Sequence, residues 1–243
     1  GVDQSGNARW SRIWGAQERR HFDIMNSWFL LSGIIEMSEF QRSIHALIEN
    51  GFNPNIGDDP YNFFVYTAFQ ERATNISHRR VGTLAKEQGA PNLAKINALV
   101  ASDEAVHEDW YTTIMKEVIN RDPEGGVMAF ADMMTRGIMM PAALITDGDH
   151  LPPDTKQSEL FTEFSNVTQS IGVYTAKDYI EIMTHLYNTW GIANLSLQSS
   201  EALKAQEKIG RRIKALTRLA DKTTETQPPV HMEIFNKWLT PRK

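Results

Sequence analysis

Apolar positions along this chain recur with the spacing of helix faces. They fall at Trp10, Ile13, Trp14, Ile24, Met25, Trp28 and Leu31, on one side of a long amphipathic helix predicted over 10–31. Ser32 and Gly33 interrupt that pattern, and a second helix is predicted over 36–50, closed by Gly51. FNPNIGDDP (52–60) is a loop by its proline, glycine and acidic content. Long helices follow over 61–87 and 93–119, joined by the tight connection Gly89-Ala90-Pro91-Asn92. Asp122-Pro123 turns the chain, and Gly125-Gly126 enters a helix over 125–139 that Pro141 ends. DGDHLPPDTKQ (147–157) reads as a polar surface loop. Helices over 158–171, 176–190 and 201–221 come next, then a weakly structured tail. No segment sustains the alternation of a strand. The predicted fold class is all-α, a helical bundle in one domain covering 1–243.

Composition narrows the chemistry. At 243 residues and 41% hydrophobic, the chain can bury a core without covalent staples. It contains no cysteine, which excludes a disulfide scaffold, an iron–sulfur cluster and a thiol nucleophile, so any metal must be held by carboxylates and imidazoles. A net charge of -5 argues against general nucleic-acid affinity. No apolar run approaches the ~18 residues of a membrane span. The opening GVDQSGNARW reads as neither a signal nor a transit peptide.

Two Glu-x-x-His pairs stand out, Glu18/His21 and Glu104/His107, because residues three apart share a helix face. Glu71 lies on the helix before the 89–92 turn and Glu104 on the helix after it, at distances from the turn that bring them within about 10 Å of the same level. Phe64, Thr67, Glu71 and Thr74 share a face, and a carboxylate on such a stripe needs a cation to offset its desolvation. Helical di-iron and di-manganese sites use one Glu from each of two helices and a Glu-x-x-His from each of two others; five of those six ligands are present here. On residue types alone, the alternative of surface glutamates and hydrogen-bonded histidines stays open. His78 is about two turns from Glu71, too far to share its metal, and reads as a hydrogen-bonded core or rim residue. His45, His150, His185 and His231 are assigned no role. Met133, Met134, Met139 and Met140 read as core filler. The pairs Arg19-Arg20, Arg79-Arg80 and Arg211-Arg212 read as solvated faces or as docking points for an acidic partner.

The strings FVYTAFQERATNISH (64–78), LVASDEAVHE (99–108), DPEGGVMAFADMM (122–134), MPA (140–142) and IGVYTAKDYIEI (171–182) resemble the plant-type soluble acyl-acyl-carrier-protein desaturases, over about residues 7–221. The resemblance implies a ferritin-like bundle with additional C-terminal helices, a homodimer and a centre of two ferrous ions. It implies a reaction that uses dioxygen and reduced ferredoxin to place a cis double bond in an acyl chain held on acyl carrier protein. Its metal ligands would be Glu18, His21, Glu71, Glu104 and His107. Thr74 would stand beside the dioxygen side, Asp103 would be a supporting carboxylate, and Phe64 and Thr67 would line the acyl tunnel. The family's first core helix, carrying the sixth ligand and one wall of the tunnel, is expected upstream of Asn7; without it the site would be incomplete and an apolar groove exposed.

Three departures accompany the resemblance. AQERRHF (16–22) lacks a second acidic residue and a glycine after the histidine. DEAVHE has Ala-Val where basic residues are common, which would alter docking of carrier protein or ferredoxin. Phe63 replaces a frequent glycine, so its ring would shorten the tunnel. The plant-like strings favour the plastid stroma over a bacterial cytoplasm. The competing functional readings are an iron-binding or storage bundle and a non-catalytic scaffold on the same fold.

Overall fold

The computed structural model describes residues 3–51, 53–144, 157–223 and 239–240. The architecture is all-α, as the periodicity predicts. The helices are α1 (Gly6–Ser32), α2 (Met37–Asn50), α3 (Pro60–Glu87), α4 (Pro91–Arg121), α5 (Pro123–Arg136), α6 (Gln157–Ser170), α7 (Ala176–Thr189) and α8 (Ser200–Thr223). Among the described residues the sole β feature is an isolated antiparallel bridge between Ile35 and Leu239.

Local chemistry sets the boundaries. The Asp59 side chain accepts from the Tyr61 amide and Pro60 occupies the first turn of α3, where a missing N–H costs nothing. The α3–α4 turn closes through Gly89 at φ +75°, and Pro91 opens α4. Asp122 caps α5 by accepting from the Gly125 amide at 2.9 Å, so that helix begins two residues earlier than predicted. It also ends earlier, at Arg136, because Gly137 adopts φ +81°, a left-handed conformation that an L-residue carries only with strain. The 147–156 part of the predicted loop and most of the predicted tail lie outside the described residues.

The long α3–α4 hairpin is the spine of the molecule. On one side α5 and α7 pack against it and α8 packs against both of them, burying Phe69, Tyr111, Met115, Ile119, Phe130, Met133, Met183 and Leu186. Trp190 closes this core: its indole Nε1 donates to the Thr112 carbonyl at 3.0 Å and its ring meets Phe130 edge-on. Gly126 has a reason beyond helix entry, since a Cβ there would lie 2.4 Å from Cγ1 of buried Ile119. Met133 and Met134 are core residues, whereas Met139 is exposed. Arg19 and Arg20 lie on an exposed face, where Arg20 also binds Asp103 on α4, whereas Arg80 is bound to buried Asp178 on α7.

On the other side, α1 lies along α4. Trp10 stacks on Trp110 with ring centroids 4.6 Å apart, and Trp14 meets Tyr111 edge-on at 5.7 Å. The outward face of α1 leaves Ile13, Phe22, Leu30 and Leu31 exposed. Among the described residues the spine thus has an apolar backing of α5 and α7 on one side and α1 on the other. The charged cluster lies between that helix and the hairpin.

Candidate metal centre

Helical spacing places the charged groups. On α4, Glu104 and His107 are one turn apart and face α1; on α1, Glu18 and His21 are one turn apart and face α4. Glu71 enters from α3. One ligand atom each from Glu18, Glu71, Glu104 and His107 lies within 4.8 Å of all the others. His107 Nδ1 is 3.2 Å from Glu18 Oε1, 3.2 Å from Glu71 Oε2 and 3.5 Å from Glu104 Oε2. His21 joins the edge of the group, with Nδ1 3.3 Å from Glu104 Oε1 and 3.7 Å from Glu18 Oε2. Glu71, Glu104, His21 and His107 are buried, and Glu18 is 40% exposed at its side chain.

Such crowding shifts every group. Burial alone would lower His107, but acceptance by Glu104, Glu18 and Glu71 outweighs it and raises its pKa to about 11. For His21, burial is likewise overcome by Glu104, Glu18 and Asp103, giving about 10. Burial pushes Glu71 up to about 8, opposed by its His107 contact and aided by the charges of Glu104 and Glu18. Glu104 goes the other way: burial would raise it, yet the two imidazoles hold it well below the usual carboxylate range. Without a cation, protonated histidines supply the positive charge these carboxylates require.

The donor set fits a metal. Buried His21 Nδ1 and Glu104 Oε2 have no hydrogen-bond partner among the described residues, although both face the cluster. Orphaned buried donors and acceptors are uncommon and call for a ligand, water or ion. Carboxylate oxygens with imidazole nitrogens suit iron or manganese.

The other candidate residues fall around this centre. Asp103 Oδ2 lies 3.0 Å from His21 Nε2 and also binds Arg20. Thr74 is near Glu71 on α3, and its hydroxyl donates to the Gln70 and Glu71 carbonyls of its own helix. The Thr67 hydroxyl donates to the Phe63 carbonyl at 2.7 Å. Phe63 and Phe64 pack on Tyr111, with centroids 5.9 and 6.4 Å away, forming an aromatic cluster about two turns before Glu71 on α3. His78 Nδ1 is 2.8 Å from Asn97 Oδ1, the bond expected of a rim histidine.

Two contributors escape a search for ligands. Trp14 Nε1 donates to Glu71 Oε1 at 3.1 Å. Gln17 reaches both His107 Nε2, at 3.0 Å, and Asp103 Oδ1, at 3.4 Å. Their signal was the face they share: positions 14, 17, 18 and 21 form one stripe of α1.

Comparison with known proteins agrees with this geometry. A family model described as fatty acid desaturase matches residues 1–239. The chain is 44% identical over 226 residues to the chloroplastic stearoyl-acyl-carrier-protein 9-desaturase of Gossypium hirsutum, covering 92% of this chain and 55% of that protein. It is 40% identical over 243 residues to the protein of that name from Simmondsia chinensis, covering 98% and 59%. For the Spinacia oleracea protein the identity is 41% over 225 residues, covering 93% and 55%. The chain therefore spans little more than half the length of these relatives.

Proposed function

Because this chain belongs to the fatty acid desaturase family, we propose that it is the greater part of the metal-bearing bundle of an acyl-acyl-carrier-protein desaturase. Its substrate would be an acyl thioester of acyl carrier protein, its reductant ferredoxin, its assembly a homodimer and its location the plastid stroma. The names of the relatives support the substrate class and the compartment. Among the described residues no helix is long and apolar enough to cross a membrane.

In this reading Glu18, His21, Glu71, Glu104 and His107 would hold two ferrous ions, and a further carboxylate would come from a helix upstream. When bound, the iron pair supplies the dioxygen chemistry that removes two hydrogens from neighbouring methylenes of the acyl chain. The protein contributes position and dryness. Phe63, Phe64 and Thr67 present an apolar wall for the acyl chain next to the cluster, and Phe63 limits its length. Trp14 holds one oxygen of Glu71, and Asp103 holds His21. Thr74 stands near Glu71, where dioxygen would approach.

The observation that carries the proposal is the meeting of Glu71, Glu104, His107 and Glu18 from three helices in a buried pocket with orphaned ligand atoms. Its test uses the full-length protein with reduced ferredoxin and acyl carrier substrates. Glu71→Ala and His107→Ala should each abolish iron-dependent double-bond formation, read by gas chromatography, while circular dichroism shows the helices intact. Desaturation retained in either variant would refute the assignment.

A further inference from the structure

Two series of ring contacts leave the charged cluster and end on the same side chain. The first begins at His107, which meets Trp10 edge-on with centroids 5.9 Å apart. Trp10 in turn stacks on Trp110 at 4.6 Å, the two planes only 7° from parallel. The second begins at Glu71, which accepts from Trp14 Nε1 at 3.1 Å. Trp14 meets Tyr111 at 5.7 Å, and Tyr111 meets Trp110 at 4.9 Å. A contact of 6.1 Å between Trp10 and Tyr111 cross-links the two series. Glu71, His107 and Tyr111 are buried, whereas Trp110 is partly exposed. In a chain without cysteine, indole and phenol rings are the side chains that most readily give up one electron.

We propose that Trp110 is the outlet of an aromatic relay that drains oxidising equivalents from the metal centre when no acyl chain is in place. This rests on reading the cluster as a metal centre. Trp10 Nε1 is buried and has no hydrogen-bond partner among the described residues. An electron-deficient Trp10 therefore keeps its proton and is repaired by an electron from a neighbouring ring. The parallel face of Trp110 also steadies positive charge on Trp10.

The electrons balance as follows. Reduction of dioxygen to two waters takes four electrons and four protons. In the proposed desaturation the acyl chain supplies two of each, while ferredoxin gives two electrons and water two protons. Without the acyl chain two electrons are missing, and Trp10 or Tyr111 yields them one at a time. Trp110 refills the ring beside it, and its own indole releases the Nε1 proton to water. A reductant in solution, such as ascorbate, then returns one electron and one proton to Trp110. The ligands Glu71 and His107 are spared the side reactions of an unused oxidant.

The experiment uses full-length protein loaded with Fe2+, reduced with ferredoxin and exposed to dioxygen without acyl carrier. A nitroso spin trap, whose nitrogen bonds to a carbon-centred radical, marks the outlet, and peptide mass spectrometry locates the adduct. Trp28 is the control, since it is partly exposed on α1 but its ring contact is with Phe29. The adduct should fall on Trp110 in clear excess over Trp28, and acyl carrier substrate or ascorbate should each suppress it. In Trp110→Phe, which keeps a ring in the stack but resists oxidation, the adduct should shift inward to Trp10 and Tyr111. That variant should bind Fe2+ like wild type when fresh and lose it faster over repeated cycles. If Trp110→Phe fails to fold, the wild-type labelling and its suppression by substrate decide the matter. Labelling no greater on Trp110 than on Trp28, labelling indifferent to the acyl substrate, or iron-loaded protein that consumes no dioxygen without that substrate would overturn the relay and leave the metal centre standing. Protein that binds no Fe2+ and forms no double bond overturns both.

Discussion

Arg80 on α3 grips Asp178 on α7 with two guanidinium nitrogens, at 2.6 and 2.7 Å from the two carboxylate oxygens. Asp178 is buried at the first turn of α7, where it also accepts from the Thr175 amide and hydroxyl to complete a capping box. One carboxylate thus starts a helix and ties it to the spine. Arg80→Ala should destabilise the protein by about 2 kcal/mol, tempered by the 40% exposure of Arg80 and the remaining Thr175 bonds. Chemical denaturation at neutral pH measures this.

The same pair has a pH signature. Burial would raise the Asp178 pKa, but its bonds to Arg80 and Thr175 overcome that and hold it below 3.8. A depressed folded-state pKa means that the unfolded chain binds the proton more readily. The pair's contribution is therefore complete above pH 3.8 and lost as pH falls through the lower folded value. Acid unfolding of Arg80→Ala should begin at higher pH than wild type. Superimposable acid transitions would contradict this.

Glu71 has the opposite sign. Its folded pKa of about 8 lies above 4.5, so without a cation its ionisation opposes folding increasingly as pH rises between those values. Metal-free Glu71→Gln should be at least as stable as wild type at neutral pH, yet gain nothing from Fe2+ or Mn2+. Wild type at ion concentrations about 100 times Kd should gain about 2.7 kcal/mol, a rise of several degrees in Tm. Calorimetry with and without metal separates the two.

Phe63 governs a different property. Its ring packs with Phe64 and Tyr111 on the proposed acyl wall. Phe63→Gly in the full-length protein should raise turnover of stearoyl relative to palmitoyl carriers, or shift the bond position. The amount of iron bound should stay unchanged. Chromatography of the products with either substrate reads the outcome.

Gly126 tests the backing of the spine. Adding one methyl group there meets Ile119, itself almost fully buried between α4 and α5. Gly126→Ala should cost about 1–3 kcal/mol by overpacking, offset in part by the roughly 1 kcal/mol by which alanine ordinarily favours a helix. A more stable variant in urea titration would show that the two helices yield freely.

Much of this arrangement was legible in the chain itself. Each predicted helix is present, because helix faces write their period directly into apolar positions such as those of Trp10–Leu31. The Glu-x-x-His pairs and the level of Glu71 relative to Glu104 followed from rise per residue and a short turn. Gln17 was not legible as a contact, since an amide on a helix face carries no spacing rule until its neighbours across the interface are known. The Arg80 ion pair was not legible for a related reason. An arginine looks the same in sequence whether its partner is water or a carboxylate 98 residues away. The early end of α5 turned on the φ of Gly137, a conformation glycine permits but does not announce.

Among the residues by which α1 meets the hairpin are Trp10, Trp14, Gln17, Glu18, Arg20 and His21, and four of these six are polar members of the charged cluster or its surroundings. The fastening of this helix and the chemistry of the centre are accordingly one structure. Ions seated there would act as rivets, clamping this rod onto the frame of the hairpin. Stripped of them, the rod keeps its aromatic grip but has lost its bolts, so the first motif would loosen long before the rest of the frame gives way.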